Sequence, residues 1–133
     1  MQNIDSNLAP YGVFILRVAL GTMWISHALL KLTVFTIPGF AVWLGAQGLP
    51  TAFAWPVFLM EVLGGLAILL GFYARYVCIL LTPIMLIAMW THIPNGWLHT
   101  NTGGGWEYPA FLLITSIAIF LIGEGAFALK PYR

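Results

Sequence analysis

Six ionisable residues stand in, or at the edge of, long apolar stretches: Arg17, His27, Lys31, Glu61, His92 and Glu107. A charge in such surroundings needs a partner or a task, because burying it in hydrocarbon costs ~2.5–3.5 kcal/mol even on lenient insertion scales. Arg17 and Glu61 have opposite charges and suit an intramembrane ion pair. Such a pair pins two helices in register or serves catalysis, and the structural role is the preferred reading. His27, Lys31, His92 and Glu107 form a second set. Two histidines and a carboxylate have the chemistry of a metal site, but no two of them have the spacing of a helical ligand pair. Haem held between His27 and His92 agrees by residue type alone. A quinone head group fits better: lysine and histidine donate to carbonyl oxygens, Glu107 exchanges protons, and Trp24 or Trp90 packs on the ring. Against these stands the plain reading that the set lines a wet interface and orients loops. His99, beside Thr100, Asn101 and Thr102, is expected to be solvated.

The elements that position these residues follow from composition. Of 133 residues, 61% are hydrophobic and 7% charged, against the ~25% charge of a soluble domain. That excludes a soluble globular protein and a disordered chain. A net charge of +1 offers no footprint for nucleic acid. The fold class is an all-α membrane protein, a bundle of four transmembrane helices with the bilayer as its first partner. Proline and glycine divide the chain into spans at about 11–37, 56–72, 76–93 and 109–125, in a single domain. The last span is short unless it runs on through Gly123, Glu124 and Gly125 towards Leu129. Pro83 lies inside the third span, where membrane helices tolerate it. Phe40, Trp43 and Leu44 recur at helical spacing in the first long connection, which predicts a short interfacial helix there. Counting ~1.5 Å per residue from the helix ends puts Arg17 ~9 Å deep and Glu61 ~16 Å deep, within an arginine's reach. Gly64, Gly65 and Gly71, the last four residues beyond Ala67, read as helix-packing positions.

Arg75, Lys130 and Arg133 share the side of both termini, so the positive-inside rule places the N- and C-termini in the cytoplasm and both long loops outside a cell (inner) membrane. Tyr11, Tyr73, Tyr76 and Tyr132 mark the inner interface, and Trp43, Trp55, Trp90, Trp97, Trp106 and Tyr108 the outer one. His27, Lys31, His92 and Glu107 then converge on one outer-leaflet level. The N-terminus lacks the basic region of a secretory signal, so the first span is expected to be retained. The single cysteine, Cys78, leaves no intrachain disulfide, CxxC pair or thiolate cluster. The chain itself thus offers no covalent electron carrier, and electron transfer would need a bound cofactor or partner.

Several stretches together resemble the DoxX-type membrane proteins. They are LRVALGTMWISHALLKL (16–32), GFAVWLGAQGLP (39–50), EVLGGLAILLGFYARYVC (61–78), HIPNGW and GGGWEYPAFLL (within 92–113) and GEGAFALK (123–130). The family pattern includes Arg17, His27, Lys31, Glu61, Gly64, Gly65, His92, Asn95, Gly96, Glu107 and Tyr108. Ala28 stands where relatives carry glycine, and Lys130 where many carry aspartate. The resemblance implies a four-helix bundle acting as a small subunit of a redox or respiratory assembly, with quinone as its ligand. Redox subunits or further copies of the chain are the protein partners it admits. The alternative is a non-enzymatic scaffold or small-molecule carrier whose buried charges are structural.

Overall fold

The computed structural model describes residues 4–130; Tyr132 and Arg133, expected on the inner side, lie outside the described residues. The fold is all-α. Five helices follow one another: α1 (Ala9–Thr33), α2 (Ile37–Ala46), α3 (Ala54–Leu70), α4 (Ala74–His92) and α5 (Glu107–Ile122), with short 3-10 turns at Thr51–Phe53 and Ile93–Asn95. Three stretches are long and apolar enough to cross a membrane: Ala9–Thr33, Thr51–Leu70 and Ala74–Asn95. α5, with 16 residues, falls below the ~20 that a crossing usually takes.

α1 packs chiefly on α3 and α4 chiefly on α5, while α3–α4 and α1–α5 contacts close the ring. Glycine sets the distances. A Cβ at Gly21 would lie 2.8 Å from the Leu69 nitrogen and 2.9 Å from the Gly65 oxygen, so α1 and α3 meet backbone to backbone. Gly65 faces α1, where a Cβ would lie 2.9 Å from Ile25, and Gly64 faces α4, where it would lie 2.6 Å from Leu81. Adjacent glycines therefore serve different neighbours. Leu20, Trp24, Ile68, Cys78, Leu81, Met85, Leu112 and Ile119 fill the bundle between these contacts.

The helix ends differ from expectation in two places. α1 stops at Thr33 rather than near 37, because Thr36 takes φ 62° and its hydroxyl accepts from the Gly39 N–H at 3.2 Å, capping α2 with Pro38 in its first turn. α2 then folds back, burying Ile37, Phe40 and Leu44 against Ala54 and Phe58 at the start of α3. α5 does not run on through Glu124: Gly123 at φ 109° ends it. The residues that follow form a strap across the end of the bundle that carries both termini. Ala126 N–H donates to the Pro10 carbonyl (2.9 Å), Leu129 N–H to Leu70 (3.1 Å) and Lys130 N–H to Gly71 (3.1 Å). Gly125 fits there because a Cβ would lie 2.6 Å from the Pro10 oxygen. Gly71 is accordingly not an α3 packing residue. It is the left-handed C-cap of α3, at φ 70°, and the Arg17 guanidinium occupies the space a side chain would need.

Candidate functional site

The expected Arg17–Glu61 pair does not form. Glu61 is 2% exposed, and its two carboxylate oxygens each accept from Lys31 Nζ at 2.9 Å. The reason is the direction of the side chains. Every Cα–Cβ bond tilts towards its helix N-terminus, and α1 and α3 are antiparallel. Lys31 therefore leans towards the termini while Glu61 leans away from them, and the two converge. Arg17, on the same helix as Lys31, also leans towards the termini, and from its position near the start of α1 that carries it away from Glu61. Its Nη2 donates to the Ala126 carbonyl of the strap at 3.0 Å, and the Glu124 carboxylate acts on it electrostatically.

Lys31 and Glu61 stand in the wall of a cavity of about 620 Å³ in the half of the bundle away from the termini, together with His27 and His92. That volume suits a small organic ligand. α1 supplies His27 and Lys31, α3 Glu61, and α4 His92, while Phe40 and Trp43 of α2 contribute stacked rings 5.9 Å apart. Lys31 Nζ also lies 5.1 Å from the centre of the Phe40 ring. Both histidines are held in the same way. His27 Nδ1 lies 2.8 Å from the Met23 carbonyl and His92 Nδ1 2.6 Å from the Ala88 carbonyl. A carbonyl only accepts, so Nδ1 carries a proton in each ring and is spent on its own helix, which leaves Nε2 as the ring atom without a backbone partner there. Two of the three Lys31 N–H donors are directed at Glu61 and one remains.

Glu107 does not join this set. It opens α5, where its Oε1 accepts from the His99 backbone N–H at 2.6 Å and lies 2.7 Å from His99 Nδ1. Those contacts, the backbone one first, hold the Glu107 carboxyl below its ordinary pKa. His99 is exposed, as expected of its loop, but it is bonded rather than merely solvated. Glu107 and His99 line a separate depression with Trp97, Tyr108 and Phe111. The Tyr108 ring stacks on His27, centroids 5.4 Å apart, between the two recesses. Neither Trp24, which is buried in the bundle core, nor Trp90 lines the cavity; Trp43 does. Among the described residues, no three of His, Cys, Asp and Glu gather closely enough to hold a metal ion.

The loop before α5 is tied into one shape that brings Gly103 to the cavity. Asn95 Nδ2 donates to the carbonyls of Gly103 (3.1 Å) and Gly104 (2.8 Å), Asn101 Nδ2 to Asn95 (2.9 Å), and Trp106 N–H to Gly96 (3.1 Å).

The model of the DoxX family matches residues 12–93, a stretch that carries every cavity side chain on α1 to α4. The chain belongs to the DoxX family. It is also similar to a Bacillus subtilis (strain 168) protein named "Putative oxidoreductase CatD", at 30% identity over 121 residues, covering 91% of this chain and 86% of that one. No solved structure matches the chain.

In this DoxX protein the end carrying the termini is organised by charged side chains set on helix ends. Arg75 Nε donates to the Phe120 carbonyl at 2.6 Å and Nη2 to Leu121 at 3.3 Å, placing a cation on the C-terminus of α5. Glu124, buried, accepts from the Arg75 backbone N–H at 3.4 Å at the start of α4, where a helix favours an anion.

Proposed function

We propose that this DoxX protein binds the head group of a quinone or quinol in the cavity between α1, α2, α3 and α4, as the membrane component of a redox assembly. The observation that carries the reading is the set of hydrogen-bonding positions left over in an otherwise apolar recess. Lys31 keeps an N–H to donate to a carbonyl oxygen. The Nε2 atoms of His27 and His92 accept from a quinol hydroxyl when neutral and donate to a quinone carbonyl when protonated. Phe40 and Trp43 supply an aromatic wall for a flat ring. The printed name of the Bacillus relative, an oxidoreductase, supports the same direction.

In this reading α5 makes a fourth crossing beside the other three, completed by the strap. Arg75 and Lys130 at the terminal end favour a cytoplasmic position for both termini in a cell membrane, which puts the cavity in the outer leaflet. The test is a titration of the protein in bilayer discs with a benzoquinone that carries no side chain, followed by quenching of tryptophan fluorescence. Saturable quenching in wild type, weakened roughly tenfold (~1.4 kcal/mol) in His92→Gln, is expected. No saturable quenching, or equal affinity in the variant, overturns the assignment.

A further inference from the structure

The cavity's polar and apolar parts are segregated, and its apolar part is not closed. Phe35, Phe53 and Ile87 line it, yet they are 59%, 50% and 41% exposed. The wall of the recess therefore continues onto the apolar outer surface of the bundle, with Phe53 and Ile87 on stretches long enough to cross a membrane and Phe35 in the turn that follows α1. The polar groups lie at the other extreme: Glu61 is 2% exposed and the Lys31 side chain 15%. Their charges cancel, since Lys31 is paired with Glu61 through both carboxylate oxygens.

Building on the quinone reading, we infer that the site takes an uncharged head group on a flexible apolar chain, admitted sideways from the lipid past Phe35, Phe53 and Ile87. Two physical arguments carry this. A chain leaving the head group finds apolar side chains all the way to the hydrocarbon and gives up no hydration to follow them. An anionic head group, in contrast, would enter a recess whose one ammonium is already satisfied by a buried carboxylate. The third Lys31 N–H can offer it a hydrogen bond but no net counter-charge, because Glu61 already neutralises the ammonium, so the anion would be buried uncompensated. Fatty-acid carboxylates are thereby disfavoured, although their chains would fit the mouth.

The experiment uses the full chain in bilayer discs and a benzoquinone bearing a decyl chain with a photoreactive diazirine on its first methylenes. After illumination, labelled peptides are mapped by mass spectrometry. Label is expected on Phe35, Phe53 or Ile87, and a tenfold excess of decanoate should leave its yield unchanged. Ile87→Phe, which narrows the mouth without adding a tryptophan, should reduce labelling several-fold, and wild type should bind the chainless benzoquinone in the same discs. Labelling confined to α5, or displacement by decanoate, overturns the inference and leaves the head-group reading standing. If neither the chainless nor the decyl quinone binds, both are overturned.

Discussion

The two ends of this bundle each set a cation beside a buried anion, and they use them differently. At the terminal end, Arg17 and Arg75 are directed at backbone carbonyls of the strap and of α5, and Glu124 sits at the start of α4. Charge there closes helix ends and fastens the C-terminal strap. At the loop end, Lys31 and Glu61 satisfy each other beside a cavity into which two histidines also turn. Donors and acceptors remain there after the fold has taken what it needs. A buried charge is thus a poor sign of function by itself; what matters is whether hydrogen-bonding capacity remains next to open space.

The comparison breaks first at Glu61. Glu61→Ala strands the Lys31 ammonium and should cost of order 3–5 kcal/mol in detergent unfolding. In double-variant cycles Glu61 should couple to Lys31 by more than ~1 kcal/mol and be additive with Arg17. Coupling to Arg17 instead would return the pair to the one expected from depth alone. Next comes the glycine seam that holds the ends in register. Gly65→Ala forces a methyl group against Ile25 and Trp24 and should cost about 1–3 kcal/mol, read in the same unfolding assay.

The histidines sharpen the comparison in the opposite sense. His27→Gln and His92→Gln should change unfolding by less than ~1 kcal/mol, because each ring hydrogen-bonds mainly to its own helix, yet each should weaken quinone binding about tenfold. The smallest effect belongs to Glu107, which shares a depression with His99. Glu107→Gln should leave quinone affinity unchanged. Because its carboxyl is held below the ordinary pKa, its tie to His99 stabilises the loop above the ordinary carboxylate range and is lost as pH falls through the depressed value. The His99 amide resonance, followed by NMR through that acid range, should move in wild type and not in Glu107→Gln.

Much of the scaffold was legible in the sequence. Pro38, Pro56 and Pro94 and the glycines around them mark the helix breaks, and the spacing of Phe40, Trp43 and Leu44 revealed α2. The cluster of His27, Lys31 and His92 was also legible, since α1 and α4 carry them near the ends that the long loops join. The partners were not. Depth counted in residues ignores the tilt of side chains along an antiparallel pair, so Arg17 was given the carboxylate that Lys31 holds. Glu107 was placed by its level in the membrane, whereas the 94–106 loop turns it towards His99. The strap reads as more helix because the fourth apolar run alone is short for a crossing, whereas the positive φ of Gly123 and Gly125 turns the chain out of the helix there.

The most direct test of the division between the ends is one titration of chainless benzoquinone into bilayer discs, read by tryptophan quenching, for wild type, Glu107→Gln and the double variant His27→Gln/His92→Gln. The account predicts that wild type and Glu107→Gln bind alike, and that the double variant, still folded, binds at least about tenfold more weakly. Equal binding by all three would contradict it and make the loop-end cluster, like its counterpart, a device of the fold.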